Sequence, residues 1–221
     1  MNILEALGSR FSARAFKPDP VDREILLKMM EAASRAPSWG NSQPWEVYIA
    51  AGETLNKIRK AFLERFEAGS PMQPDLPRPQ EWPSALAQRM AESAARRLTA
   101  LGFSPDDEGA KRASMRRNYE FFGAPAVAYL CLERALTPWS IFDVGMFTMS
   151  FLLAAKECGV DSIPAVNLVA YPDILRKELG IPDSLMILIG VALGYADPDH
   201  PANRYRSSRR PVHEVVRFKG V

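Results

Sequence analysis

The pattern of apolar and polar positions divides the chain into short helices and strands that alternate. Over residues 22–36, Ile25, Leu26, Met29, Met30 and Ala33 fall on one helical face behind Asp22, a good cap. Pro37 disfavours helical geometry in the residue before it, so that helix is predicted to end at Ala36. Shorter or similar helices are predicted over 2–8 and 52–66, with a strand-like alternation over 45–51 between them. Residues 124–133 and 184–195 read as apolar strands, 162–170 as a strand or extended loop, and 172–180 as a short helix. Residues 212–218 are predicted to form a last strand.

Two regions depart from this rhythm. Residues 69–83 hold Pro71, Pro74, Pro77, Pro79 and Pro83, which prevent a regular ladder. A polar helix over 84–101, a turn at 102–107 and a further helix towards Phe122 follow. The whole of 67–122 reads as an excursion from the core, either a surface arm or a lid with Trp82 and Phe103 as walls. The second region is 139–155, apolar almost throughout and as long as a short membrane span. Asp143 interrupts it and Lys156 and Glu157 follow, so it is predicted to be a helix from 137 to 159 buried within the protein or a dimer.

The composition adds little but excludes several classes. Of 221 residues, 28 are Lys or Arg and 26 are Asp or Glu, a balance that does not suggest a nucleic-acid surface. Cys131 and Cys158 lie in no metal-ligand spacing, and the histidines are His200 and His213, so no metal site is expected and a reducing cytoplasm is. The start of the chain lacks the pattern of a secretory signal, and no membrane association is expected. No internal repeat or linker is evident. The expectation is one α+β domain over 1–221, with 197–221 as a C-terminal arm.

Three segments carry candidate chemistry. Arg10-Phe11-Ser12-Ala13-Arg14 places two guanidiniums and a hydroxyl within five residues, which suits a phosphate or forms a solvated basic turn. Residues 36–45, APSWGNSQPW, form a proline-restricted loop whose Ser38, Asn41 and Gln43 suit the edge of a flat heterocycle, or an ordinary helix-to-strand connection. Residues 204–211, RYRSSRRP, hold four arginines that fit a small anion better than a duplex. Together they imply a nucleotide-like ligand, yet neither GxGxxG nor GxxxxGK[ST] occurs.

Taken in order, these segments resemble the nitroreductase family of FMN-dependent oxidoreductases, in its nitrobenzoate-reductase-like branch. RFSAR resembles the family's Arg-x-Ser-x-Arg/Lys motif, and APSWGNSQPW its Ala-Pro-Ser-x-x-Asn-x-Gln-Pro-Trp signature. NYEFFGAPAVAYL, DVGMFTMSFLLAAKECGVDSIP, LRKELGIPDSLMILIGVALGYAD and RRPVHEVVRF resemble the middle and closing segments. The likeness spans nearly the whole chain and is weakest over 67–112.

The resemblance implies an α+β, nitroreductase-like fold: a mainly antiparallel sheet flanked by helices, with the C-terminal strand exchanged in a homodimer. It implies FMN at the dimer interface, NADPH or NADH as electron donor and a small-molecule acceptor. Arg10 and Ser12 then hold the phosphate, Arg14 lies near the flavin pyrimidine, and Pro37, Ser38 and Asn41 reach the flavin from the partner subunit. Ile163, Pro164 and Ala165, with Val166, pass over the isoalloxazine, although the Glu-Gly pair of many relatives is absent here. Arg209 closes on the phosphate, with Arg206 as a second candidate beside Ser207, where relatives often carry Lys.

The implied reaction is a ping-pong transfer from NAD(P)H through FMN to an acceptor, nitroaromatics first among them. It needs no catalytic residue in the sense of a protein nucleophile, acid or base, because the cofactor carries the chemistry. Asp143 is read as a helix-packing or interface group. A quinone, enone or free-flavin reductase on the same fold remains an alternative, as does a non-enzymatic nucleotide- or RNA-binding module.

Overall fold

The computed structural model describes residues 2–220. Four strands form one antiparallel sheet in the order β1-β2-β4-β3: β1 (Glu46–Ala51), β2 (Ala126–Glu133), β3 (Asp161–Ala165) and β4 (Leu185–Gly194). The alternation along β2 explains why both faces are covered. Val127, Tyr129 and Cys131 point to one apolar cluster, and Ala126, Ala128, Leu130 and Leu132 to another. The first face carries α3 (Gly52–Glu67) and α7 (Pro172–Leu179), and the second carries α2 (Arg23–Ala33) and α6 (Pro138–Glu157).

Most predicted elements appear with small shifts. The helix expected over 22–36 ends at Ala33, because the Ser34 hydroxyl donates to the Met30 carbonyl and Ala36 N–H turns back to Ala33. Trp45 stays outside β1 and stacks on Phe147 of α6, ring centroids 4.8 Å apart. The segment 162–170 divides into β3 and a 3-10 turn, Val166–Val169. Gly190 of β4 makes that turn possible: a Cβ there would lie 2.5 Å from the Cβ of Leu168, so only glycine lets the turn close on the sheet.

One expectation is overturned in the chain taken alone. Residues 212–218 do not form a strand; Val212–Val215 form a single helical turn, α8, and Phe218 is 75% exposed. A strand needs an edge to pair with, and no strand among the described residues pairs with this tail.

The excursion is built from α4 (Ser84–Ala100) and α5 (Glu108–Tyr119) after the proline-rich segment. It is tied to the core at its root. Gln73 N–H donates to the Ala170 carbonyl at 2.9 Å, and Phe66 of α3 stacks on Tyr119 at 4.5 Å. Asp75 accepts from Arg134 at 2.7 Å, Arg176 at 2.7 Å and Ile187 N–H at 2.8 Å.

The remaining helices lie near the future site. The first, α1 (Ile3–Ser9), begins with a reciprocal Asn2–Glu5 capping box and leads directly into Arg10. Helix α6 is long and apolar enough to cross a membrane by length and composition. It packs Val144, Phe147, Phe151 and Ala155 against the sheet, while Trp139 and Phe142 remain 66% and 64% exposed. The all-round burial expected for it is therefore met on one side in the single chain.

Candidate functional site

The N-terminal arginine motif is an extended segment laid along the sheet edge. Ser12 bridges Ser162 in parallel, and Ala13 N–H donates to the Ser162 carbonyl at 3.2 Å. Gly194 permits the next step, since a Cβ there would meet Pro125 at 2.6 Å and Phe16 at 3.0 Å. The C-terminal segment is locked to the same stretch by the buried Asn203. Its side chain accepts from Arg14 N–H at 2.7 Å and donates to the carbonyls of Ala15 at 2.7 Å and Asp197 at 2.8 Å. Residues about 190 apart in sequence are thereby held together.

The result is a cavity of about 430 Å³ bordered by Arg10, Ser12, Arg14, Arg206, Ser207 and Arg209. No carboxylate lines it among the described residues. Arg206 stacks on Phe11, its guanidinium carbon 3.8 Å from the ring centroid. Arg209 donates to the Ser207 hydroxyl at 2.7 Å, so the serine at the position of the expected lysine holds an arginine instead. Arg10 Nε is buried with no hydrogen-bond partner. Burial first, and the Arg209 charge second, hold the Arg10 guanidinium below its usual range. Such a group calls for an anion.

A second cavity of about 320 Å³ adjoins it, with Arg14 and Tyr205 common to both. Ile163, Pro164, Ala165 and Val166 form one wall, as the sequence places them, while Arg97 of α4 and Arg117 of α5 face it from the excursion. Arg14 is pushed down to about 10, by burial first and then by the charge of Arg97, with Tyr205 opposing. Arg97, Arg117 and Tyr205 were not singled out as site residues by the sequence reading. Arg97 and Arg117 lie on helices whose pattern does not distinguish them from solvent-facing arginines, and Tyr205 sits within the arginine run but was not assigned.

The loop after α2 stands apart from both cavities. Pro37 and Asn41 are exposed, Ser38 is half-buried, and none of the three borders either arginine-lined cavity within this chain. Its shape is nevertheless defined. Gly40, Asn41 and Gln43 have φ of 58°, 57° and 47°, the Ser38 hydroxyl accepts from Gln43 N–H at 2.9 Å, and Asp143 of α6 accepts from Trp39 N–H at 3.2 Å. Trp82, one of the two expected lid walls, borders an apolar cavity with Pro77, Met90, Val166 and Leu188. Phe103 borders none of these three cavities.

Comparison with known proteins identifies the family and the fold. Over 218 residues the chain is 31% identical to a nitrobenzene nitroreductase of Ectopseudomonas oleovorans, covering 97% of this chain and 95% of that protein. The crystal structure of the FMN- and NADPH-dependent nitroreductase NfnB from Sphigopyxis sp. strain HMH superposes with a TM-score of 0.95 at 33% identity, covering 100% of both chains. NfnB from Mycobacterium smegmatis, solved in complex with NADPH, superposes with a TM-score of 0.91 at 29% identity over 98% of this chain and 97% of that one. The model of the nitroreductase family matches residues 7–195. This chain belongs to the nitroreductase family.

Proposed function

We propose that the protein is an FMN-dependent oxidoreductase that takes electrons from NADPH or NADH and delivers them to a small organic acceptor, nitroaromatics being the foremost class. One observation carries the reading: arginines from the two ends of the chain converge on a single cavity without an acid, and one of them has a buried, unpartnered Nε. A phosphate monoester supplies what that cavity lacks, so the residues present fit the phosphate of FMN. Arg10, Ser12, Arg206 and Arg209 would hold it, and Ile163, Pro164 and Ala165 would border the ring system. FMN, when bound, supplies the two-electron redox chemistry.

The protein's share is positioning and electrostatics. Arg14 sets a fixed, partly dry positive charge beside the β3 wall, where it favours electron-rich states of whatever lies there. The β3 wall and the excursion helices border the cavity, and protons come from solvent. Donor and acceptor use this cavity in turn, in a ping-pong order.

The functional unit in this proposal is a homodimer with FMN at the interface. The exposed Ile3 and Leu4 of α1, with Trp139 and Phe142 of α6, support it, since monomers seldom expose so many large apolar side chains together. Pro37, Ser38 and Asn41 would then reach the cofactor of the partner subunit. Val212–Val215 would leave their helical turn so that 212–218 extend the partner's sheet, which gives them the edge they lack alone. The nicotinamide donor supports a cytoplasmic location in this proposal, and two free cysteines are compatible with it.

The test is the visible spectrum of the purified protein before and after anaerobic NADPH addition, with its mass in solution. Flavin bands that bleach with NADPH and return with a nitroaromatic, on a dimer, are expected. A colourless monomer that takes up no added FMN overturns the proposal. A panel of quinones, enones and free flavin beside nitroaromatics separates the acceptor classes.

A further inference from the structure

Helix α6 holds one acidic side chain that the proposed chemistry does not use. Asp143, between Phe142 and Val144, is 4% exposed, the most buried acidic residue among those described. Its carboxylate accepts the Trp39 N–H at 3.2 Å and forms no ion pair among the described residues. A leucine of similar size would cost less to bury. What the carboxylate supplies is a fixed acceptor for the backbone of the loop after α2.

That loop needs holding. Asn41 and Gln43 take φ of 57° and 47°, a left-handed geometry that costs energy in residues other than glycine. The Ser38 hydroxyl accepts from Gln43 N–H, and Gln43 Nε2 donates to the Asn41 carbonyl at 3.3 Å. These bonds shape the loop from within, and α6 attaches it to the core. Trp139, Asp143 and Phe147 recur every four residues, so they form one stripe along the helix. Trp139 meets the Trp39 ring edge-on with centroids 6.3 Å apart, Asp143 takes the Trp39 N–H, and Phe147 stacks on Trp45. The stripe grips both ends of the loop. Apolar contacts are non-directional, so the bond to Asp143 is what fixes orientation.

We propose that Asp143 is a positioning residue for the flavin of the other subunit: by fixing Trp39 it sets where Ser38 and Asn41 present their side chains across the dimer. The inference rests on the functional reading above, in which this loop reaches the partner's cofactor. Trp139 and Phe142, exposed at the same end of α6, belong to the face that reading assigns to the dimer. The carboxylate therefore acts on a different flavin from the one whose phosphate its own subunit's Arg10 holds.

The test counts tight FMN sites in mixed dimers purified through two different tags. Asp143→Leu removes the acceptor and, in the homodimer, is expected to raise the Kd for FMN about tenfold, the worth of one charge-assisted hydrogen bond. Asp143→Asn keeps an acceptor oxygen and restores most of the affinity. Arg10→Met marks the chain that holds the phosphate. In one mixed dimer both substitutions sit on one chain beside an unaltered partner; in the other, each chain carries one. Action across the interface leaves the first with no unimpaired site and the second with one per dimer, read by flavin-fluorescence titration. Action within the chain gives the reverse, one and none, and overturns the inference. Equal counts in the two, as general destabilisation would give, overturn it as well.

Should Asp143→Leu fail to fold, Trp39→Pro takes its place. Trp39 is 70% exposed, and Ser38 before it is extended (φ −146°, ψ 156°), as proline favours in the residue it follows. Proline deletes the same N–H from the surface side, and Trp39→Ala, which keeps it, is the control. Trp39→Pro is expected to bind FMN about tenfold more weakly than Trp39→Ala; equal affinities overturn the inference. Unaltered protein that binds FMN tightly as a monomer overturns this inference and keeps the cofactor reading. Unaltered dimers that take up no FMN overturn both.

Discussion

Replacing Arg10 with methionine tests the cofactor assignment through two signs at once. In the chain alone, the Arg10 guanidinium has a buried Nε without a partner and faces the charge of Arg209. Both features cost stability while no anion is present. Methionine keeps an apolar stem of similar reach and removes the charge. The FMN-free protein is therefore expected to unfold at the same temperature or higher. Affinity for FMN should move the opposite way. Loss of one charge-assisted hydrogen bond to phosphate, about 1.5–3 kcal/mol, raises Kd by about 10- to 150-fold. Flavin-fluorescence titration of the FMN-free protein measures the second effect, and thermal unfolding at fixed protein concentration the first. The variant's Kd should also depend less steeply on salt, since one phosphate-facing charge is gone. An unchanged Kd together with a lowered unfolding temperature would make Arg10 a structural residue and refute the reasoning.

Two further substitutions probe the frame that carries the site. Asp75 is 9% exposed at its side chain and fastens the proline-rich segment to Arg134, Arg176 and the Ile187 N–H. Burial alone would raise its carboxyl, but the hydrogen bonds from Arg176, Ile187 and Arg134 outweigh it and hold it below the ordinary 3.8. A carboxyl depressed in the folded state stabilises fully above its unfolded value and loses that contribution as pH falls through the folded one. Asp75→Asn should thus cost about 3 kcal/mol at pH 7, and the gap to wild type should close as pH drops below about 4 in chemical denaturation; a gap that widens in acid would contradict this. Tyr129 has a buried hydroxyl with no partner, so Tyr129→Phe is expected to stabilise by about 1 kcal/mol in the same assay; a loss of that size would show that the hydroxyl is bonded after all.

What could be read from the sequence was whatever short-range chemistry specifies. Alternating strands, one-faced helices and proline-marked boundaries depend on neighbours within a few residues, so β2, β4, α2, α3 and α6 were legible. So were the arginines at both ends, because their types are unusual in such density and match a phosphate in charge and geometry. The ends of elements were less so: Ser34 turns α2 off early through a hydroxyl bond that competes with the next helical turn.

The tertiary structure alone decided which distant side chains share a space. Asn203 joins the two arginine segments, a role that a lone asparagine in a polar stretch does not advertise. Arg97 and Arg117 come to line a cavity with Arg14 through the placing of α4 and α5, and Tyr205 through the C-terminal segment that Asn203 holds. The tail shows the same limit from the other side. Residues 212–218 have a strand's pattern, yet Val212–Val215 form a helical turn in the single chain, because a strand is a relation between two segments. Pattern specifies local geometry; the pairing of charges, edges and cavity walls is settled by packing.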